Sequence, residues 1–588
     1  MNIGAMGEVN QVEIPHERHV YMSKICRYVY TSNSQELVNT KSIDVDDRPE
    51  IEPLTHAQAM ESKEWRHWAY ARDEENRVLQ EKDTMILVKK TKGMKTVKSK
   101  YVFKIKRKYG KITRYKARLV ALGYDEQVNP SSIFAPVVKP NTVRLLMALA
   151  QTEKMQIHQI DIQNAFCCAN IEGDVYMEAP VGMDIPEGHC FKLKKSLYGL
   201  KSAPKSWNKL IDKTLKSLHF KPTVSDPCLY SRWSGGKQYL ILVYVDDILI
   251  AGERVEHIQE IKDSICDKFA MTDMGPLDNF LNANITQTPE KITVDQTHYC
   301  REILETFNFL VKGKTSKTPL PIDAIEKLAA GIDITAEHDT EVASYPYRQV
   351  VGSLLYLAMY TKPEISYAVG VLSRFNDKKT KASCDLATHL LRYLNAHREC
   401  IIEFSGTDLD IHAFSDADWA GDILTRRSTT GYIVFAAGGP ISWQSKLQTT
   451  VATSSMESEY MALYAGMQEL VWIRGVLKEL GRPLDKPTPF LVDSKSAKDL
   501  ALNPVFHSRS KHIDIKYHWL RQHTCLDITD GFRTATLYHC VTAEMTADIF
   551  TKSLSGNLFF HHANSINGKR KRSSYESIQK SKKPGGAY

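Results

Sequence analysis

The sequence predicts an α+β chain of several domains, and three observations predict it. Gln238 to Gly252 sets two adjacent carboxylates, Asp246 and Asp247, between two apolar, β-branched runs of strand length. Residues 295 to 400 carry helical patterning. From Asp408 onward, strands that end in Asp alternate with one long helix, the pattern of a mixed sheet. A chain of 588 residues has room for these parts as separate domains, about three to five by length. Its composition, 43% hydrophobic and 25% charged, is that of ordinary globular proteins. No apolar run reaches the ~18 residues a bilayer crossing needs, so no membrane partner is expected. The first residues lack a basic stretch followed by an apolar core, so no secretory signal is expected either. Eleven cysteines without a C-x-x-C pair argue against a zinc site or a disulfide framework and fit a reducing intracellular compartment.

Taken in order, residues 1–51 are mixed and polar and read as a poorly ordered leader. From Glu52 an extended segment leads into an amphipathic helix through Asn76. Lys89 to Arg118 holds fourteen Lys or Arg and no acid, and Tyr101-Val-Phe-Lys-Ile-Lys106 alternates apolar with basic. That reads as a basic β-hairpin turning at Tyr109-Gly110, with one face buried and a cationic face suited to phosphates. Asn141 is a good N-cap for a helix whose Val143, Leu146, Met147 and Ala150 recur at helical spacing. Ile157 to Phe166 is a short alternating strand running into a turn, with Asp161 near its end. Tyr239 to Val245 and Ile248 to Ala251 are unbroken apolar runs, so this hairpin should be covered on both faces, with Asp246 and Asp247 at its turn. Buried ionised carboxylates cost several kcal/mol unless they are paired or hold a cation, and no Lys or Arg lies within the run. A metal site is the sharp reading and a solvated turn the bland one.

Residues 312–400 comprise a polar, Pro-punctuated linker to Asp339 followed by helices. Beyond them, Leu409 to Asp416, Thr430 to Phe435, Ile441 to Gln444 and Pro489 to Asp493 read as strands. Ser454-Ser-Met-Glu457 has capping-box spacing ahead of a helix to Leu480. Strand ends facing a helix that carries Glu459 would gather carboxylates from distant sequence at one sheet edge. Residues 555–588 read as a basic, disordered tail.

Tyr244-Val-Asp-Asp247 resembles the metal-binding box of reverse transcriptases, and the Ile-Leu-Ile-Ala-Gly after it resembles the form found in copia-type LTR retrotransposons. Arg114-Tyr-Lys-Ala-Arg118, Ile160-Asp161, Ser196-Leu-Tyr-Gly-Leu-Lys201, Tyr347-Arg-Gln-Val-Val-Gly352 and Ser415-Asp-Ala-Asp-Trp419 are similar to words of the same family in the same order, over roughly residues 52 to 554. The resemblance implies a right-hand polymerase, with fingers and palm at 52–311 and thumb or connection helices within 312–400, followed by a ribonuclease H-like domain at 401–554. It implies RNA-directed DNA polymerisation together with cleavage of the RNA in RNA–DNA hybrids. Asp161 and Asp246 would bridge two Mg2+ ions, with Mn2+ as an alternative, and Asp247 would be accessory. Lys116 and Arg118 become phosphate contacts. Phe166 becomes the aromatic under the sugar, against the plain reading of a core Phe. In the nuclease, Asp416, Glu459, Asp493 and Asp548 would hold a second pair of ions, with Glu457 competing with Glu459 and Asp514 with Asp548. The implied partners are RNA template, DNA primer, RNA–DNA hybrid and dNTPs, with the oligomeric state left open. The implied setting is cytoplasmic, in a virus-like particle, with the basic tail as a route to nuclear entry.

Three places depart from the family. Ser202 stands where a nucleotide-contacting Gln is usual, Phe280-Leu-Asn-Ala-Asn284 replaces a Gly-Ile-Glu-type word, and Cys167-Cys-Ala-Asn170 replaces Leu-x-Gly. The Ser202 hydroxyl is too short to reach the partner of a Gln amide, so a weakened polymerase that Ser202→Gln improves is the expectation. A relic that only binds nucleic acid is the alternative.

Overall fold

The computed structural model describes residues 52–108, 111–126, 128, 133–310, 315–331, 340–502, 511–525 and 533–568. The leader, the hairpin tip at Tyr109-Gly110 and the basic runs of the tail lie outside them. The described residues form two compact units, one drawn from Met1–Pro136 with Ile162–Leu215 and the other from Val137–Asp161 with Lys216–Tyr588. This division interleaves along the chain, unlike the linear boundaries expected at 311 and 400. It does so because the strand Gln156–Ile162 completes a sheet whose other strands all come after residue 220.

In the first unit the helix Trp65–Glu81 buries Trp68, Ala71, Glu75 and Leu79, one stripe at helical spacing. That stripe packs on the antiparallel pair Ser99–Lys108 and Lys111–Ala121. Trp68 meets Phe103 and Tyr115 edge-on at 5.4 and 4.7 Å. Tyr101 and Phe103 are buried while Lys104 and Lys106 are exposed, so the alternation does separate an apolar from a cationic face. The helix Ala203–Ser217 buries Ala203, Trp207, Ile211 and Leu215, again one stripe.

In the second unit a six-stranded sheet runs in the order Met271–Pro276, Gln156–Ile162, Asp247–Gly252, Lys237–Tyr244, Leu229–Ser234, Lys221–Pro222. Leu240, Leu242, Leu249 and Ala251 join the core formed with Leu145, Leu146 and Leu149 of the helix Pro140–Thr152. Ile241, Ile248 and Ile250, on the opposite face, are equally inaccessible, so both faces of the hairpin are covered.

A second sheet pairs Asn279–Phe280, Ala283–Gln287, Ile292–Asp295 and Ile401–Phe404 in that order. Between its last two strands the chain makes the helices Thr297–Thr306, Ala324–Ala330, Tyr347–Tyr360, Ser366–Ser373 and Lys381–Ala396. It then returns to pair Ile401 with Asp295.

The third sheet has the order Gly439–Leu447, Thr429–Ala436, His412–Asp418, Thr488–Val492, Ala535–His539, antiparallel through the first three strands and parallel thereafter. The helix Ser455–Glu479 lies against it, opened by Ser454, whose side chain accepts from Glu457 N. The helix Gly556–Ile566 corrects the expected tail boundary at 555. Phe559, Ala563 and Ile566 recur at helical spacing and are buried, with Phe559 edge-on to Tyr393 at 5.6 Å. No described helix is long and apolar enough to cross a membrane.

Arg144 binds three parts of this unit together. Its buried guanidinium donates to Ile441 O at 2.8 Å, to Met359 O at 3.0 Å and to Tyr360 O at 3.2 Å, and stacks 3.9 Å over Trp443. The helix Pro140–Thr152, the C-terminus of the helix Tyr347–Tyr360 and the third sheet thereby share one cation.

Two candidate carboxylate sites

The first set lies at the hairpin. Tyr244 and Asp247 are register partners, so Val245 and Asp246 make a two-residue turn and Asp247 opens the return strand. Val245 adopts φ +56°, a conformation that is costly for a β-branched residue and is imposed by the tight connection. The neighbouring strand sets Asp161 directly opposite Asp247. Asp161, Asp246 and Asp247 are all partly exposed, unlike the strand residues behind them. Gln159, on the same face as Asp161, donates its amide to Asp247 Oδ1 at 2.9 Å.

The second set lies at the strand ends of the third sheet. Register pairs Ser415 with Val492, so the next residues along, Asp416 and Asp493, sit side by side. Glu459 is on the first turns of the helix Ser455–Glu479. One oxygen from each of Asp416, Glu459 and Asp493 lies within 4.8 Å of the others, and among the described residues no other three acids are grouped so tightly. The hairpin carboxylates are neighbours through their register but are not drawn together to that degree. Asp548, 1% exposed in the short turn Thr546–Phe550, lies against Asp416.

Crowding like charges in a buried place disfavours their ionisation. Burial, then Asp416 and Asp493, push Glu459 up to about 10. Burial, then Asp416, push Asp548 up to about 8. Asp493 is raised by burial and by Asp416, and Asp418 is pushed up to about 6, chiefly by burial. Oxygen donors crowded until several must keep protons are a donor set that a hard divalent cation fits.

Residues that the sequence did not single out complete this site. Lys552 places Nζ 3.2 Å from Asp548 Oδ1 and 3.7 Å from Asp416 Oδ2, and Thr551 Oγ1 donates to Asp416 Oδ2 at 2.5 Å. The signal was within one helical turn past Asp548, in Thr546-Ala-Asp-Ile-Phe-Thr-Lys552. Of the competing acids, Glu457 is taken up by the helix start, accepting from Thr453 N and Oγ1 at 2.7 and 2.6 Å. The side chain of Asp514 lies outside the described residues.

The remaining candidates belong to the first unit. Arg118 lies 4.4 Å over the ring of Tyr198, and Phe166, partly exposed, meets the same ring at 4.7 Å. Lys116 and Arg118 exert their charge on the buried Glu75, whose carboxyl burial raises and which accepts from Leu119 N. Ser202 is buried, and its hydroxyl donates to Glu126, a buried carboxylate that also takes Lys201 N. It therefore has a protein partner in place of the one a nucleotide would supply.

Residues 82–322 match the family described as reverse transcriptase (RNA-dependent DNA polymerase). Among curated proteins, the retrovirus-related Pol polyprotein from transposon TNT 1-94 of Nicotiana tabacum is 37% identical over 524 residues, 87% of this chain and 38% of that protein. The one from transposon RE1 of Arabidopsis thaliana is 36% identical over 527 residues, 88% of this chain and 34% of that protein. A solved structure of a foamy viral protease-reverse transcriptase with double-stranded DNA covers 90% of this chain and 80% of its own at 13% identity. Its TM-score is 0.44. The chain spans about a third of the length of the curated relatives it matches. It belongs to the copia-type retrotransposon Pol family and carries that family's reverse transcriptase domain.

Proposed function

We propose that the chain is an RNA-directed DNA polymerase joined to a nuclease that cleaves the RNA of RNA–DNA hybrids. The observation that supports the polymerase is the placement of Asp161 opposite Asp247, beside Asp246, at the mouth of a hairpin whose strands are otherwise buried. Asp161, Asp246 and Asp247 would hold Mg2+ or Mn2+, which when bound supplies Lewis acidity to the primer 3′-hydroxyl and offsets triphosphate charge. Gln159 orients one oxygen of Asp247 by its amide. Lys116 and Arg118 offer cations to phosphates, and Phe166, braced by Tyr198, offers a ring face to a sugar. Primer extension on a homopolymer RNA template with Mg2+ tests this, with Asp246→Asn and Asp247→Asn as controls. Extension that persists in both variants would remove the reading.

The nuclease rests on the grouping of Asp416, Glu459 and Asp493 with Asp548 behind them. These acids would hold a divalent ion, Lys552 balances the charge of Asp548 and Asp416, and Thr551 fixes one oxygen of Asp416. A nucleic-acid-binding relic is the second reading, favoured by the engagement of Ser202 with Glu126. Absence of turnover by the parent chain in both assays, with hybrid binding retained, would select it.

A further inference from the structure

Immediately after Asp418 the chain leaves its strand for the loop 419–428, and this loop is rigid in construction and apolar and basic on its outside. Asp422, 6% exposed, is its inner post. Its Oδ1 accepts from Leu424 N and Thr425 N at 3.1 and 2.9 Å, its Oδ2 takes Arg374, and its backbone closes on Arg426 and Arg427. Ala420 and Arg426 are held at φ +53° and +54°, a strained conformation that persists only where the surroundings impose it. The indole of Trp419 is tethered by Nε1 to Ala452 O at 3.1 Å, yet the residue is 50% exposed. Ile423, Leu424 and Val451 are 40%, 53% and 52% exposed. Arg426 and Arg427 are exposed, and neither guanidinium has an ion pair or hydrogen bond among the described residues.

Fixing a large aromatic, aliphatic side chains and two unneutralised arginines at the surface serves no purpose in the fold, and a cluster of this kind marks a contact surface. Arginine beside an exposed ring suits a nucleic-acid strand: guanidinium to phosphate, ring and aliphatics to sugar and base faces. Its place in the chain says which strand. Trp419 lies three residues beyond Asp416, so at about 3.4 Å per residue it is within ~10 Å of the carboxylates, or about three nucleotides at ~3.4 Å of axial rise each.

Resting on the nuclease reading above, we propose that Trp419, Leu424, Arg426 and Arg427 form a grip for the RNA strand of the hybrid, within about three nucleotides of the bond that is cut. The arginines neutralise flanking phosphates, and the indole and Leu424 lie against the exposed sugar faces.

The test is binding of the full chain to a fluorescent RNA–DNA hybrid without divalent ions across a series of salt concentrations, together with KM for hybrid cleavage. Arg426→Gln/Arg427→Gln is expected to reduce the slope of log K against log salt by about two, one for each phosphate no longer neutralised, and to raise KM. Arg426→Lys/Arg427→Lys is expected to restore the slope. Trp419→Ala is expected to weaken binding roughly tenfold, with the slope kept. A slope unchanged in the double Gln variant overturns the proposal, and so does a slope not restored by Lys. If the parent cleaves no hybrid the nuclease reading fails, while the salt slope still decides whether this loop binds the strand.

Discussion

The hairpin carboxylates and the strand-end carboxylates use the same residue type in opposite surroundings. Asp161, Asp246 and Asp247 stand partly exposed at the lip of a buried sheet, with an uncharged amide as the neighbour of Asp247. Asp416, Glu459 and Asp493 come together from three different elements and Asp548 joins them from a fourth, with a lysine among them and protons retained on several. The first arrangement leaves room for a substrate that brings its own phosphate charge and the ions attached to it. The second is assembled before any substrate arrives. An acid's neighbours, more than its identity, determine whether a site is waiting to be completed or already complete.

The largest expected effect separates the two sites outright. Asp493→Asn should lower hybrid cleavage by about a thousandfold, the several kcal/mol of transition-state stabilisation that a lost ion ligand removes, and leave primer extension intact. Equal loss of both activities would end the claim that the sites are independent.

The next effect concerns pH. Glu459 and Asp548 keep protons in the folded, ion-free chain up to about 10 and about 8, whereas the unfolded chain releases them near pH ~4. The folded state binds more protons, so their contribution is fully present below pH ~4 and is lost as pH rises towards the folded values. In EDTA the Tm should therefore fall between about pH 5 and about pH 8, and Mg2+ should recover much of the loss at the upper end. A flat Tm profile in EDTA would mean that the strand-end acids are less crowded than their geometry implies.

A smaller effect sharpens the hairpin side. Gln159→Leu removes the hydrogen bond that orients Asp247, a loss of about 1 kcal/mol, so kcat/KM for extension should drop roughly fivefold with cleavage untouched. Smallest is Ser202→Ala, which leaves Glu126 short of one donor. It should cost about 1 kcal/mol of stability by denaturant melts and shift nucleotide KM little. The improvement expected of Ser202→Gln is replaced by a loss of stability, since the longer side chain must displace the bond to Glu126 in a buried position.

What could be read in advance was local. The double burial of the hairpin showed in two unbroken apolar runs, and the start of the helix at Ser455 showed in a capping-box spacing, whereas Glu457 and Glu459 were separated only by the bonds Glu457 makes to Thr453. The basic alternation from Tyr101 to Lys106 showed as strand period. What could not be read depends on contacts without a sequence period. Arg144 reaches Ile441 across 297 positions, and nothing near either residue announces the other. Lys552 is an ordinary surface lysine until its turn folds against Asp416. The helix Gly556–Ile566 did have its stripe, but it begins beyond the last of the family words.

The return of the strand Ile401–Phe404 to the strand Ile292–Asp295 has a consequence for how this chain can change. Gln296 N donates to Cys400 O at 2.9 Å, so the intervening helices leave and rejoin the sheet at a single point. Their ends are clamped by the host sheet, whatever lies between. Lengthening such a closed excursion costs slowly, about 0.6 kcal/mol for each doubling of a flexible loop. The helices between are held by more than the sheet, since Tyr360 O accepts from Arg144, Arg374 pairs with Asp422 and Tyr393 meets Phe559, so only the connections away from these contacts can change length, with the spacing of Asp161, Asp246 and Asp247 left to a different sheet.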